Sequence, residues 1–359
     1  MPGADPRRTS RRRAPTLREV ADRAGVHIST VSRVLREAEP PDGWSPTALR
    51  VREVADELGY APNPWAASLR TRRTDTIGVV MPRLTDTVIA TMFEGIEDAA
   101  TQAGYSVLLA SPPDTLEAQK RSIEFLRSRQ VDGLLLTSLH RDADEFLDPL
   151  RLQNTHVLLL NRHADSRIPA ITGDDHSGGR LAAEHLVGLG HRQIGVIAGP
   201  AHATTGADRV AGFMEVLEEA GVPIPSERIV ESGFEVDGGL TAAHALLDGP
   251  NRVTAIFSVN DTAAIGVLGV ARDLGLRVPD DVSLVGYNDI PVVAQLPVAL
   301  TTVRSPSREV GSTAVRRLIE LIDGKAVVSE KLPVELVVRD STAAPRSAAH
   351  ASPAVEHRP

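Results

Sequence analysis

Two groups of residues have types and spacings that can do chemistry. The first lies on the second of two short helices in TLREVADRAGVHISTVSRVL, Thr16 to Leu35, where Ile28, Ser29 and Arg33 face outward while Val31 and Leu35 pack inward. An exposed arginine on such a helix can give two hydrogen bonds to the edge of a guanine. The second group consists of polar residues that each follow an apolar run. Arg83 and Asp86 follow IGVVM, and Asn161 and Arg162 follow LLL. Asn260 and Asp261 follow IFSV, Asn288 and Asp289 follow LVGY, and Arg209 opens a helix. Paired donors and acceptors at strand ends can fix the orientation of a small hydroxylated molecule. A third grouping, Asp174 and Asp175 with His176, His185 and His191, offers the carboxylates and imidazoles of acid–base chemistry. Asp174 is better placed to cap the helix that begins there. His185 and His191, six apart, do not share a helical face. No phosphate-cradling glycine loop, nucleophile elbow or metal-ligand spacing is present, so no catalytic residue, metal or cofactor is expected.

The elements that must position the first group are legible in detail. Thr16 and Glu19 form a capping box, with the threonine oxygen on an orphan amide and the glutamate reaching back to the cap. Leu17, Val20, Ala21 and Ala24 share a helical face, and Gly25 allows a sharp turn through a left-handed backbone. Ser45 followed by Pro46 starts a third helix, whose Val51, Val54, Ala55 and Leu58 form one stripe and whose end is marked by Gly59. Three short helices with an exposed Arg/Ser face make a helix-turn-helix head able to enter a DNA major groove.

Charge supports this division. Residues 1–76 hold fourteen Arg and no Lys against ten Asp/Glu, a net of +4, while the whole chain of 359 residues carries −8. A basic head on an acidic body fits a DNA-contacting module joined to a sensor. The arginine-rich residues 1–15 read as a disordered basic arm, which either adds salt-sensitive phosphate contacts or is a solvated extension. The chain has no cysteine, no apolar run long enough to span a bilayer and no apolar segment of a secretory signal, so a cytoplasmic location without membrane contact is expected.

From Thr76 onward short apolar runs alternate with helical stretches, which indicates parallel sheets covered on both faces. The expected strands include Ile77–Met81, Tyr105–Ala110, Gly133–Thr137 and Val157–Leu160, with helices at Phe93–Ala103 and Leu116–Arg129. The alternation restarts at Asp174 and runs through IGVIAG, the helix Leu240–Leu247, TAIFSV and VSLVGY. Two doubly wound α/β lobes in tandem follow from that pattern.

AGVHISTVSRVL, ELGYAPNPWAASL and TDTIGVVMP together resemble the lactose-repressor (LacI/GalR) family of bacterial transcription regulators, and the resemblance runs from Thr16 to about Asp340. It implies an all-α helix-turn-helix head with a hinge helix, followed by a core like a periplasmic binding protein. The implied divisions are a head at 16–60, a hinge helix and linker at 61–75, a ligand-binding and dimerisation core at 76–340 and a disordered tail at 341–359. Within the core, lobe 1 comprises about 76–172 and 303–325, and lobe 2 about 173–302 and 326–340. The resemblance implies DNA contacts from Thr16, Leu17, His27, Ile28, Ser29, Thr30, Ser32 and Arg33. Asn63 with Pro64 starts the short hinge helix and is expected among the DNA-binding residues; by resemblance Ala66 fits the minor groove closely and Leu69 is the wedge that kinks the duplex. Ligand contacts are implied for Asn161, Arg209, Asn260 and Asn288, and Phe234 corresponds to an aromatic that stacks on a sugar face. Arg83 and Asp86 complete the expected ligand set. His27, Arg36, Ala67 and Asn288 depart from the residues usual in the family, and the last replaces a carboxylate by an amide. The tetramerising leucine heptads of some members are absent, which points to a homodimer. The expected function is a ligand-responsive repressor that binds a palindromic operator in double-stranded DNA and senses a small molecule, a sugar or a derivative. The alternatives are a solute receptor without DNA function and an α/β enzyme.

Overall fold

The computed structural model describes residues 15–35, 40, 43–60, 73–137, 139, 147, 155–164 and 167–346. The expectations for the arm, for Arg36, for the hinge with Asn63, Ala66, Ala67 and Leu69, and for 347–359 lie outside the described residues. The chain divides into two compact units, one ending at Thr74 and one beginning at Asp75.

In the first unit, helices α1 (Leu17–Ala24), α2 (Ile28–Val34) and α3 (Pro46–Leu58) surround a small apolar core. The capping box forms as expected: the Thr16 amide donates to Glu19 Oε2 at 2.6 Å, and the Glu19 amide donates to Thr16 Oγ1 at 3.3 Å. Such a cap stabilises the helix by about 1 kcal/mol. Gly25 closes α1 at φ +65°, and Arg50 of α3 donates to the carbonyl of Ala24 beside it through Nε at 2.9 Å and through Nη2. The turn is therefore fastened from the third helix as well as by its own backbone. Val20, Val31 and Val51, one from each helix, are fully buried. Each contributes about 1.5–3 kcal/mol of apolar burial.

The second unit contains two six-stranded sheets among the described residues. Lobe 1 is built on β1 (Thr76–Val80), β2 (Ser106–Ala110), β3 (Gly133–Thr137), β4 (His156–Leu160), β5 (Ala170–Gly173) and β11 (Glu330–Leu332), in the order β2-β1-β3-β4-β5-β11. Lobe 2 uses β6 (Ile194–Ala198), β7 (Ile229–Glu231), β8 (Ala255–Ser258), β9 (Ser283–Asn288), β10 (Thr301–Arg304) and β12 (Glu335–Val337), in the order β7-β6-β8-β9-β10-β12. Every pairing is parallel except β10 with β12. The central strands are apolar without alternation because helices cover both faces. Lobe 1 carries α4 (Thr87–Gln102), α5 (Leu116–Ser128) and α10 (Ser307–Ile322). Lobe 2 carries α6 (Asp175–Gly188), α7 (Thr204–Glu219), α8 (Val236–Leu247) and α9 (Asp261–Asp273).

Five expectations are corrected. Residues 341–346, expected as part of a disordered tail, pack on lobe 2: Ser341 is fully buried, its Oγ donates to the Leu284 carbonyl at 2.6 Å, and the Ala343 amide donates to Ser283 Oγ at 3.0 Å. Arg209, expected to open a helix, lies in the second turn of α7, which begins at Thr204. The helix expected from Phe93 begins six residues earlier, at Thr87, because Asp86 caps it by accepting from the Val88 amide at 2.9 Å. The helix expected from Leu240 begins at Val236. The last crossing between lobes falls after Leu332 and not near Lys325, since Glu330–Leu332 pairs with β5 of lobe 1 before Glu335–Val337 returns to lobe 2.

Close helix contacts position the cleft residues. A Cβ on Gly179 of α6 would lie 1.9 Å from the Arg209 carbonyl oxygen, and one on Gly212 of α7 would lie 1.9 Å from that of His176. Only glycine permits backbones this near, so α7 is drawn against α6 and Arg209 with it.

Candidate functional site: the cleft and the head surface

In both sheets the strand order reverses beside the first strand, between β1 and β3 in lobe 1 and between β6 and β8 in lobe 2. Beyond the carboxyl ends of the strands at such a point a doubly wound sheet opens a crevice. All seven expected ligand residues line one cavity there, with Arg162, Thr205, Val88 and Ile89. Arg83, Asp86 and Asn161 come from lobe 1; Arg209, Phe234, Asn260 and Asn288 come from lobe 2. The cavity volume is about 40 Å³, room for little more than a water, so a ligand of sugar size fits only if the walls move apart.

The backbone around this cavity is unusual. Arg83 (φ +56°), Asn161 (φ +67°) and Asn288 (φ +110°) all lie in the left-handed region that side chains disfavour. Each such conformation costs on the order of 1–3 kcal/mol, and such residues cluster at binding sites. The strain turns the chain sharply at each strand end and brings the side chain over the sheet edge.

Arg209 is the best-anchored of the set. Its Nε donates to Asp175 Oδ1 at 2.7 Å, its Nη1 donates to the Val259 carbonyl at 2.7 Å, and its guanidinium lies 3.8 Å over the Tyr287 ring. Burial pulls the guanidinium pKa down, but the charge of Asp175 and its hydrogen bond outweigh it and hold the group above its ordinary value. Asp175 therefore fixes the place of Arg209, while Asp174 caps α6, accepting from the Ser177 hydroxyl at 2.7 Å. Asn260 is likewise committed to structure. Its Oδ1 accepts from the Ala263 amide at 3.1 Å as the cap of α9, and its Nδ2 donates to the Phe234 carbonyl at 2.8 Å. It lines the cavity while holding the aromatic segment in place. Beneath it Asp261 accepts from the Thr302 hydroxyl at 2.6 Å and the Ile290 amide at 2.9 Å, and burial pushes its carboxyl up to about 7.

In lobe 1 the partners reach across. Arg83 pairs with Glu235 of lobe 2 and lies 5.5 Å from the centre of the Phe234 ring. His163 Nε2 stands 2.8 Å from Asp208 of lobe 2, and its amide donates to Thr204 Oγ1 at 3.2 Å. Arg162, buried and 3.6 Å from Asp114, lines the cavity beside Asn161; its place directly after an apolar run made it a candidate, although the family resemblance implied a ligand contact only for Asn161. His191 serves the fold, with Nδ1 2.9 Å from Thr254 Oγ1 and Nε2 2.9 Å from the Ala343 carbonyl. His185 stands 2.9 Å from Thr342 Oγ1. A separate apolar groove of about 820 Å³ on lobe 2 is lined by Leu240, Ile265, Leu268, Leu276 and Leu296. It is larger than the cleft but lacks convergent polar groups, so it suits a protein surface better than a small polar ligand.

On the head, Ile28, Ser29 and Arg33 are exposed on α2, with Thr30 and Ser32 half-buried beside them. Thr16 caps α1, and Leu17 packs partly into the core of the head. His27 is the cap of α2: its Nδ1 accepts from the Ser29 amide at 3.3 Å and lies 2.7 Å from the Ser29 hydroxyl. With Nδ1 accepting, the neutral ring carries its proton on Nε2, a donor on an exposed side chain.

A model described as bacterial regulatory proteins, lacI family, matches residues 16–63, and one for a periplasmic binding protein-like domain matches residues 183–342. The HTH-type transcriptional repressor PurR of Escherichia coli O139:H28 is 33% identical over 338 residues, covering 91% of this chain and 97% of that protein. The lac repressor dimer bound to operator and the anti-inducer ONPF superposes with a TM-score of 0.83 at 31% identity, over 92% of this chain and all of that one. The complex of the transcriptional regulator CelR with cellobiose gives 0.71 at 33% identity, over 91% and 99%. Among the described residues no helix is long and apolar enough to cross a membrane.

Proposed function

Because the chain belongs to the lacI family of bacterial regulatory proteins, we propose that it is a cytosolic, dimeric transcriptional repressor whose grip on operator DNA is set by a small molecule held between the lobes. The single observation that carries this reading is the convergence of residues from both lobes on one small cavity in a chain that begins with a DNA-reading head. A molecule touching both walls changes how the lobes close, and DNA must alter its affinity by the same factor, since linkage is reciprocal.

In this reading Arg33, Ile28 and Ser29 read base edges, while Thr16, Leu17, Thr30, Ser32 and the outward Nε2–H of His27 hold phosphates. Asn63, Ala66 and Leu69 act at the minor groove. Two copies pair through the apolar groove of lobe 2, where Leu240, Leu268 and Leu296 offer surface for burial. A two-fold dimer then requires a near-palindromic site.

Selection of random duplex DNA on the purified protein, followed by sequencing, tests the reading. Enrichment of a palindrome with a fixed centre is expected; enrichment of no sequence, with and without pooled sugars, would refute it. On the selected site Arg33→Ala should weaken binding by about 1–3 kcal/mol. Unchanged affinity would remove Arg33 from base reading.

A further inference from the structure

Three guanidinium groups line the cleft, from three separate segments: Arg83 after β1, Arg162 after β4 and Arg209 in α7. Among the described residues Asp86 is the one carboxylate in the lining, and it is engaged, accepting from the Val88 amide and lying 3.8 Å from Arg83. Other carboxylates stand outside the lining: Asp114 at 3.6 Å from Arg162, Asp175 at 2.7 Å from Arg209, and exposed Glu235 against Arg83. Those on Arg162 and Arg209 fix where the guanidiniums sit without entering the cavity. With Nε and Nη1 of Arg209 bonded to the protein, Nη2 is the nitrogen left to meet a ligand.

The three cations act on one another. Burial pulls Arg162 down to about 10, Asp114 works against that, and the charges of Arg83 and Arg209 add to the lowering. The remaining wall is neutral. Asn288 presents a buried Oδ1 with no hydrogen-bond partner. Whichever way its amide is turned it brings no charge, and as placed it is an acceptor awaiting an N–H or O–H. Asp114, Asp175 and Glu235 offset part of the guanidinium charge, and a neutral sugar would meet the remaining N–H groups with hydroxyls alone. A carboxylate or phosphate gains charge-assisted hydrogen bonds there, since the planar fork of arginine matches both anions.

We propose that the molecule sensed in this cleft is anionic, a small hydroxylated compound whose carboxylate or phosphate is held by Arg83, Arg162 and Arg209 while Asn288 accepts from one of its hydroxyl or N–H groups. The proposal rests on the reading of the cleft as the effector site. Glu235, exposed at the cavity mouth, holds Arg83 until the anion of the ligand replaces it.

The test is thermal unfolding of the full-length protein at fixed ionic strength with three millimolar probes that share a ring: glucose, glucuronate and glucose 6-phosphate. The melting temperature should rise with an acidic probe and not with glucose; a response to glucuronate alone assigns the charge to a carboxylate, and one to the ester alone to a phosphate. Arg162→Gln should weaken the responding probe at least tenfold. As Arg162 is buried and that variant can unfold, half-exposed Arg83→Gln is made in parallel and should weaken it severalfold. Glu235→Gln should tighten it severalfold. Glucose stabilising as well as either acid, neither acid outdoing glucose, or an acid response that survives both arginine variants would overturn the proposal. Failure of the regulator reading looks different: no operator is selected, yet the acid response and its arginine dependence persist.

Discussion

In lobe 2, Arg209 is clamped by Asp175 and the Val259 carbonyl, and Asn260 spends both ends of its amide inside the same lobe. In lobe 1, Arg83 and His163 reach across the cleft to Glu235 and Asp208, although Arg83 also lies 3.8 Å from Asp86 and Arg162 3.6 Å from Asp114 within the lobe. The two sheets share one strand order, so the difference lies in the side chains and not in the topology. Lobe 2 offers a wall completed by its own folding, whereas much of the lobe 1 wall is completed by closure. A molecule that bridges the two therefore reports on closure, the property a sensor must couple to its DNA-binding head.

The comparison can be broken most forcefully at Asp175. Asp175→Asn leaves the buried Arg209 charge without its counter-ion and should destabilise the protein by roughly 3–5 kcal/mol in urea unfolding. A loss below about 1 kcal/mol would show that Arg209 is not anchored as described. Next in size, Asn260→Ala removes a helix cap and orphans the Phe234 carbonyl, for an expected loss of about 2 kcal/mol. Arg83→Ala, which cuts a solvent-screened pair, should stay within about 0.5 kcal/mol. Equal losses at the two positions would erase the distinction between the lobes.

The gentlest probe is pH. Both carboxyls that burial pushes up, Asp175 and Asp261, belong to lobe 2. Asp261 binds its proton up to about pH 7 in the folded protein and up to about 3.8 in the unfolded chain. Between those values the folded state holds the extra proton, so its contribution to stability falls as pH rises, by about 1.4 kcal/mol per unit at the steepest, and is constant above. Asp261→Asn should remove that slope; a variant whose stability tracks the wild type from about pH 4 to 7 would show that Asp261 is ionised throughout.

The head was legible nearly residue by residue because its signals are local. Thr16 with Glu19, Ser45 with Pro46, and Gly25 and Gly59 each act within a turn of the chain, and each appears at its expected place. Leu35 packs partly against the core of the head as expected, and Val34 beside it is the buried residue the pattern did not single out. In the core, strand ends were readable because a polar residue directly follows an apolar run. Two helix starts were not: Asp86 and Glu235 stand directly before α4 and α8, and the first turns they open were read as loop. The strand Glu330–Leu332 has three residues and no alternation, so its place in lobe 1 follows only from its pairing with Ala170–Gly173.

The sequence by itself determined the three-helix head, the two tandem α/β lobes and the polar strand-end side chains that converge on one cavity. Each of these rests on periodicity, capping or apolar runs, which act over a few residues. Only the tertiary structure decided which of those side chains are free to bind. Asp175 meets Arg209 across 34 positions, Arg83 meets Glu235 across 152, and Asn260 turns back to Phe234 across 26. Partners that far apart share no local pattern, and the packing of one helix or lobe against another selects them.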